Sequence, residues 1–264
     1  MSVTWLLLGA ALAVAIAAAA YRLGSLSASG AAGAILVGTL TFGIGGLAPA
    51  VLLILFFVSS SGLSRVGKGQ KRSMAAAFSK GSRRDVGQVF ANGALAAALS
   101  VGYGLTHDPL WLAGVAGALA AVNADTWATE LGILARRRPR LITTGASVDP
   151  GTSGGVTAQG TLAAAAGSAV IGLAAALVTG DWTLAVLAWI GGLAGSLFDS
   201  LLGATVQAMY WCPTCQKETE RHPRHACGSP TQPLRGWRWL GNDAVNFAAS
   251  LIGAGLALAV AAWR

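Results

Sequence analysis

Long apolar stretches alternate with short polar connections over the whole chain. Stretches near the length that crosses a bilayer run over residues 3–20, 30–46, 48–63, 87–105, 110–134, 156–178, 183–206 and 243–262. This pattern predicts an all-α membrane protein with about eight transmembrane helices. We interpret residues 1–264 as a single polytopic membrane domain.

The connection between the second and third stretches is very short, because it runs only from Gly45 to Pro49. Such a turn joins antiparallel neighbours, or the two stretches form a re-entrant hairpin. The first stretch, residues 3–20, has no basic residues before it and is followed by Tyr21 and Arg22 instead of a small-residue cleavage site. It is therefore expected to be a retained transmembrane helix and not a signal peptide.

A weak internal similarity relates the two halves of the chain. Residues 29–40 align with residues 151–162 at an offset of 122 positions. Two parallel repeats of four helices would explain this similarity, and they would be related about an axis along the membrane normal. A binding site would then be expected where the repeats meet.

Composition and charge agree with a membrane protein. The chain is 54% hydrophobic and 11% charged, with a mean hydropathy of +0.62, whereas soluble domains are about 25% charged. Of the 18 Lys and Arg residues, 17 lie at Arg22, 65–84, 136–140 and 217–238, and the alternate loops contain none. The positive-inside rule explains the net charge of +8, because the basic residues lie in loops beside apolar segments. The charge is therefore not evidence of nucleic-acid binding. It predicts a cell inner membrane protein with a cytoplasmic functional face and both termini outside.

The stretch from Asn123 to Gly132 combines two carboxylates, two hydroxyls and an amide inside an apolar setting. On a helix these side chains share a contiguous arc of roughly 160°. A carboxylate at membrane depth costs about 2.5–3.5 kcal/mol unless it meets a partner, a cation or water. The stretch is therefore either a metal or substrate site or an interhelical hydrogen-bond cluster. Its candidate residues are Asn123, Asp125, Thr126, Thr129 and Glu130.

Three further polar clusters begin or end helices on the same basic side, so that all four clusters are expected to line one cavity. Their candidate substrate-binding residues are Arg84, Asp85, Gln88, Asn92, Ser196, Ser200, Asn242 and Asn246. Carboxylate oxygens are the ligands that Mg²⁺ prefers. We therefore predict a catalytic Mg²⁺ site; its ligands are Asp125, Glu130, Asp199 and Asp243.

The connection before the sixth stretch, residues 141–155, is rich in glycine and hydroxyls, and we name it the glycine loop. This composition is typical of a phosphate-binding loop before a helix N-terminus, and the alternative is a helix-capping loop. Basic residues that could neutralise phosphate precede the loop at residues 136–140. Others, among them Lys80 and Arg83, are predicted on the same side of the membrane. The candidate phosphate-binding residues of the loop are Thr143, Thr144, Gly151, Thr152, Ser153, Gly154 and Gly155.

All three cysteines lie in residues 211–240, which we name the Cys/His segment. The Cys-Pro-x-Cys and His-x-Cys-Gly spacings predict a small zinc knuckle, whose ligands are Cys212, Cys215, His225 and Cys227. A closed site with four protein ligands would be structural and would not carry catalysis. The alternative is a set of free thiols in a flexible cytoplasmic loop.

Five motifs together resemble one known family. They are residues 85–93, 124–130, 142–156, 195–203 and 242–246. In this order they are similar to the motifs of the phytyl-phosphate kinase family, integral membrane proteins catalogued as domain of unknown function 92, and the resemblance covers essentially the whole chain. It implies a membrane kinase of the vitamin E pathway type. It supplies no catalytic residues, so the assignments above rest on the chemistry of the side chains.

The expected activity is transfer of a phosphoryl group from a nucleoside triphosphate, ATP or CTP, to an isoprenoid monophosphate in the membrane. The alternative is a transporter or flippase of a polar or phosphorylated lipid, because intramembrane carboxylates and parallel repeats also suit alternating access. Polar clusters at one end of the helices would favour an enzyme. A continuous polar path across the membrane would favour transport.

Overall fold

The computed structural model describes residues 3–67 and 83–263. Within these ranges the chain forms eight α-helices, and a π-helical turn, Leu40–Ile44, extends the second. The helices are α1 (Val3–Arg22), α2 (Ala28–Thr39), α3 (Leu47–Leu63), α4 (Val86–Thr106), α5 (Pro109–Gly132), α6 (Ala158–Thr179), α7 (Thr183–Thr205) and α8 (Asn242–Ala262). They match the eight apolar stretches of the sequence closely.

Short polar side chains start several of these helices. Asp85 accepts a hydrogen bond from the Gln88 backbone and forms a capping box with it, and Thr157 accepts from Gly160. Asp108 caps α5 in the same way, with Pro109 as the first helical residue. Such side chains satisfy backbone donors that have no partner inside the helix, which sets where each apolar run begins to coil.

Helix α5 is the centre of the bundle. It contacts α3, α4, α6, α7 and α8, and every residue from Leu112 to Ala124 is buried. Between Leu112 and Val122 this helix carries only apolar residues and glycine. Large apolar side chains such as Leu7, Leu162 and Leu177 instead lie exposed on the outer helices, as expected of surfaces that face lipid.

Close approach of α5, α7 and α8 depends on small residues. A Cβ atom added at Gly253 of α8 would lie 2.5 Å from the Gly117 carbonyl oxygen of α5. A Cβ atom at Gly195 of α7 would lie 2.5 Å from the Cβ of Ala121. Both positions therefore exclude any larger residue, as in other tightly packed membrane helices.

Two small antiparallel sheets add strands to the helical bundle. In the first, β1 (Arg140–Leu141) pairs with β2 (Gly155–Val156) and closes the glycine loop at its base. In the second, β3 (Met209–Cys212) lies between β4 (Lys217–Thr219) and β5 (Gln232–Arg235). The prediction of an all-α chain is thus correct for the bundle and incomplete for these two connections.

Five of the helices in the described part of the chain, α1, α4, α6, α7 and α8, are long and apolar enough to cross a membrane. Helix α2 with its π-helical turn, and α3, are apolar but shorter. Helix α5 is 24 residues long and is surrounded by protein, so it tolerates its polar end. The count of eight transmembrane spans stays a prediction. So does the internal repeat, because residues 29–39 are helical whereas residues 151–157 precede α6.

Candidate functional site

A cavity of about 530 Å³ lies at one end of the bundle, and we name it the carboxylate cavity. The N-terminal ends of α4, α6 and α8 and the C-terminal ends of α5 and α7 all contribute to its lining. The connections at 107–108 and 180–182 lie at the opposite ends of these helices. The polar clusters that are far apart in sequence therefore meet at a single end.

Four carboxylates line this cavity: Asp125 and Glu130 from α5, Asp199 from α7, and Glu220 from the segment after β4. The charges of Asp125, Asp199 and Glu220 act on one another directly. Like charges gathered in a partly desolvated site repel, so they favour a cation among them. Oδ2 of Asp199 is buried and has no hydrogen-bond partner within the described ranges. That oxygen fits a metal ligand better than a packing contact.

The glycine loop forms one wall of the cavity. Residues 150–157 line it, and the Ile142 N–H donates to the Gly154 carbonyl at 3.0 Å. Gly154 has a φ of +81°, and any side chain there would collide with the backbone of Ala204 in α7. Only glycine combines this backbone conformation with so close an approach. The second half of the loop is therefore held rigidly against α7.

Positive charge and helix N-termini face the carboxylates. Arg84 and Arg137 line the cavity, and Arg84 Nη1 donates to Ser61 Oγ at 2.9 Å. Arg84 also interacts electrostatically with Glu130. Three helices begin here, and helix N-termini attract anions through their backbone N–H groups and dipole. The cavity thus offers separate surroundings for a cation and for phosphate.

Most of the residues predicted from the sequence line this cavity, although their roles stay predictions. They are Arg84, Gln88, Asn92, Asp125, Thr126, Thr129, Glu130, Gly151, Thr152, Ser153, Gly154, Gly155, Asp199, Ser196, Ser200, Asn242 and Asn246. Of the basic residues predicted beside them, Arg137 is in the lining, whereas Lys80 lies outside the described residues.

Five predicted residues are placed elsewhere. Asn123 is fully buried and joins α3 to α6 by hydrogen bonds from Ser59 and to the Gly167 carbonyl. Asp85 is occupied as the cap of α4. Thr143 and Thr144 lie exposed at the tip of the glycine loop, and Asp243 in the first turn of α8 is absent from the lining. These five residues therefore do not line the cavity together with the others, and their assignment to substrate or Mg²⁺ stays a prediction.

Gln207 and Glu220 are two of the lining residues that were not among the predicted ones. Gln207, which is 2% exposed, and Glu220 both lie beyond the end of α7. Gln207 continues the polar stripe of Asp199 and Ser200, which is a signal visible in the sequence. Glu220 has no such signal, because it sits among charged residues of the Cys/His segment and only the folded sheet turns it inward.

A smaller cavity of about 80 Å³, the apolar cavity, adjoins the first. Residues of α1, α2, α3 and α4 line it, and almost all of them are apolar. Arg84, Gln88 and Asn92 belong to the linings of both cavities. An amphiphile with a polar head in one cavity and an apolar chain in the other would therefore pass these three side chains.

The four predicted zinc ligands come together in the Cys/His segment. The ligand atoms of Cys212, Cys215, His225 and Cys227 all lie within 4.8 Å of one another, and this Cys/His cluster could hold a metal ion. Hydrogen bonds from Ser229, and then from His225, lower the pKa of Cys227 to about 5. A hydrogen bond with Cys227 raises the pKa of Cys215 to about 11. A metal ion bound at the cluster would displace the protons that remain on the thiols.

Comparison with known proteins identifies the family. Residues 11–254 match the family described as integral membrane protein DUF92. The chain belongs to this family. The match covers nearly all of the chain, and it confirms the membership that the five motifs predicted. No solved structure matches the chain, so no bound ligand can be transferred to the carboxylate cavity by homology.

Several relatives cover most of the chain. Protein PGR of Arabidopsis thaliana is 34% identical over 267 residues, which is 90% of this chain and 89% of the relative. The uncharacterized membrane protein MJ0933 of Methanocaldococcus jannaschii is 39% identical over 157 residues, 58% of this chain and 63% of the relative. Protein VTE6, chloroplastic, of Arabidopsis thaliana is 29% identical over 226 residues, 84% of this chain and 61% of the relative.

Proposed function

We propose that this DUF92 protein is a membrane kinase that transfers a phosphoryl group from a nucleoside triphosphate to an isoprenoid monophosphate. The observation that supports this most is the composition of the carboxylate cavity. It combines carboxylates, two arginines, a rigid glycine-rich wall and three helix N-termini in about 530 Å³. Phosphoryl transfer requires mainly positioning and neutralisation of charge, and these groups supply both. The similarity to Protein VTE6, chloroplastic, is compatible with this proposal.

Asp125 and Asp199 would hold a Mg²⁺ ion, with Glu130 close by on α5. The fit rests on the buried Asp199 Oδ2, which has no hydrogen-bond partner in the described structure, and on the hard oxygen donors around it. When bound, Mg²⁺ would neutralise charge on the phosphates that react. Asp243 takes no part in this proposal because it does not line the cavity.

The reaction would join two phosphates. An oxygen of the isoprenoid monophosphate attacks the γ-phosphorus of the nucleotide, a new P–O bond forms, and the bond between the γ-phosphorus and the bridging oxygen breaks. The products are an isoprenoid diphosphate and a nucleoside diphosphate. Arg84 and Arg137 would bind phosphate oxygens, while Thr152, Ser153 and the N-terminus of α6 would orient them.

The apolar cavity would receive the beginning of the isoprenoid chain. A dry cavity of about 150 Å³ accommodates benzene, so 80 Å³ accommodates only a few carbon atoms. The rest of the chain would pass between the outer helices into lipid. Arg84, Gln88 and Asn92 would then mark the junction between the phosphate and its hydrocarbon.

The alternative of a transporter or flippase has less support. The carboxylate cavity draws its lining from one end of the bundle, and residues 112–122 of α5 beyond it are apolar and buried. A transport path would need polar groups past that point. A one-sided site favours an enzyme, with the cavity on the cytoplasmic side of the cell inner membrane and both termini outside.

A direct assay tests the kinase proposal. Purified protein in detergent or nanodiscs is incubated with Mg²⁺, ATP or CTP, and phytyl, geranylgeranyl or farnesyl monophosphate. We expect a prenyl diphosphate to form with at least one pair and not without Mg²⁺. Absence of product with every pair, in protein shown to be folded, would refute the proposal.

The Cys/His cluster would hold a structural Zn²⁺ ion. Three thiols and one imidazole at these separations match the tetrahedral ligand set of structural zinc sites. Elemental analysis of protein purified without chelators should find about one zinc per chain. Protein that is folded and contains no zinc would contradict this assignment.

A further inference from the structure

Glu220 links the two candidate metal sites. It lies in the middle of the connection between Cys215 and His225, five residues from each. The Cys/His segment is therefore anchored at the cluster on both sides of Glu220. Even so, the Glu220 side chain lines the carboxylate cavity together with Asp125 and Asp199.

Gln207 fixes the position of the Glu220 carboxylate. Gln207 Nε2 donates to Glu220 Oε1 at 3.0 Å, and Gln207 Oε1 accepts from Ser153 Oγ at 2.9 Å. Both ends of this buried amide are thus bonded to parts of the cavity wall. The hydrogen-bond chain runs from the glycine loop to the Cys/His segment and leaves little freedom to Glu220.

The sheet that carries Glu220 is fastened to the end of α7. Arg235 Nη1 of β5 donates to the Gly203 carbonyl of α7 at 2.9 Å. The Ala208 N–H donates to the Leu240 carbonyl at 2.8 Å, which ties the two ends of the segment together. On the sheet itself, Thr219 beside Glu220 is fully buried. These contacts hold strand β4 in place, so the residue that follows it, Glu220, has a defined position.

The sheet is small for an independently stable unit. It has three strands of three or four residues each, and short isolated strands are marginal in water. A metal that joins the end of β3 to the connection between β4 and β5 would supply the stability that the few contacts of this sheet cannot. Loss of that metal would free both anchors of residues 216–224 and would release Glu220.

We propose that Glu220 is a third carboxylate ligand of the cation in the carboxylate cavity, and that metal binding at the Cys/His cluster positions it there. A second observation, the buried Asp199 Oδ2 without a partner in the described structure, independently points to a cation beside Glu220. This inference rests on the proposed kinase site. It assigns the Cys/His segment to the site itself, against the expectation that it has no part in catalysis.

Mn²⁺ binding, followed by electron paramagnetic resonance in place of Mg²⁺, tests the inference without measuring turnover. Mn²⁺ prefers oxygen ligands and would not replace zinc at three thiolates. Glu220→Gln should weaken Mn²⁺ binding about tenfold to a hundredfold while the zinc content stays at the wild-type value. Asp149→Asn is the control, because it removes a carboxylate of the glycine loop that is 83% exposed and lies outside the lining.

A double-mutant comparison tests the positioning role of the Cys/His cluster. Cys215→Ser should weaken Mn²⁺ binding by about the same factor as Glu220→Gln, and the double variant should lose no more than either single variant. If the losses of Mn²⁺ affinity in the two single variants multiply in the double variant, the two residues act independently, and the positioning role of the Cys/His cluster is wrong. If Cys215→Ser does not fold, zinc removal from wild-type protein by a chelator gives the same comparison.

The outcomes separate this inference from the kinase proposal. If Asp125→Asn and Asp199→Asn abolish Mn²⁺ binding but Glu220→Gln binds as wild type does, the inference on Glu220 is wrong and the proposed Mg²⁺ site stands. If wild-type protein binds no Mn²⁺ in the cavity, both are wrong.

Discussion

Two polar side chains with buried atoms in this bundle differ in how completely they are hydrogen-bonded. Asn123 accepts hydrogen bonds from Ser59 at 3.0 Å and Ser60 at 3.4 Å and donates to the Gly167 carbonyl at 2.8 Å. Oδ2 of Asp199 is equally buried but has no partner in the described structure. The first group is satisfied within the protein, whereas the second leaves an acceptor for which we propose a cation. The hydrogen-bond partners, and not burial, therefore distinguish these two residues.

Of the two residues compared, Asp199 should show the larger effect on turnover. Asp199→Asn keeps the shape of the side chain and removes its charge, so turnover should fall by about a hundredfold or more. The protein should still insert and fold, because no hydrogen bond to Oδ2 is lost. Asp149→Asn is the matched control: this carboxylate of the glycine loop is 83% exposed and does not line the cavity, so its loss should leave turnover near wild type. Equal turnover in both variants would mean that Asp199 is only packed in the bundle.

A second test concerns the rigid wall between these carboxylates and the phosphates. Gly154 and Gly145 both have positive φ values, +81° and +70°, but only Gly154 meets the backbone of Ala204. Gly154→Ala should lower turnover about tenfold or more, since small displacements at a reacting centre are costly. Gly145→Ala introduces only the backbone strain, about 1–2 kcal/mol. Similar turnover in the two variants would show that the close approach is irrelevant to the site.

Asn123 should respond in the opposite way from Asp199. Asn123→Ala leaves the buried Ser60 hydroxyl and the Gly167 carbonyl without their partner, which should cost about 1–3 kcal/mol of stability. Turnover per folded molecule should stay within about threefold of wild type. Thermal unfolding in detergent and turnover of the same preparation measure both quantities. A large loss of turnover with unchanged stability would move Asn123 from packing into the site.

The smallest expected effect lies in the apolar cavity. Ala34 of α2 lines this cavity, whereas Ala32 is exposed on another side of the same helix. Ala34→Leu should shift the preference severalfold toward shorter prenyl monophosphates by narrowing the cavity. Ala32→Leu should not change the preference. An unchanged chain-length profile in Ala34→Leu would place the hydrocarbon elsewhere.

The helices and most of the site were predictable for different reasons. Each helix is an apolar run, and several runs begin at a capping residue such as Asp85, Asp108 or Thr157. Both signals lie in contiguous residues, so they can be read from the sequence. The convergence of Asp125 and Asp199 followed from the alternation of helix direction, which returns the same end of each helix to one side.

What could not be predicted depends on contacts between distant segments. Asn123 and Asp125 share one polar arc of α5, and only the neighbours from α3 and α6 show that the Asn123 amide is already hydrogen-bonded within the protein. Glu220 enters the cavity through a sheet whose geometry the spacing of the cysteines does not reveal. Thr143 and Thr144 have suitable hydroxyls, but the β1–β2 pairing places them at the exposed tip of the loop.

The most direct test of the central claim is the turnover of Asp125→Asn beside wild type, each normalised to folded protein. Asp125 lines the carboxylate cavity from the central helix, and the asparagine preserves its size and hydrogen-bonding capacity. If Asp125 holds Mg²⁺ for phosphoryl transfer, turnover of prenyl monophosphate should fall well beyond a hundredfold. If it is packing alone, an interhelical amide would replace it well, and turnover within about threefold of wild type would contradict the account.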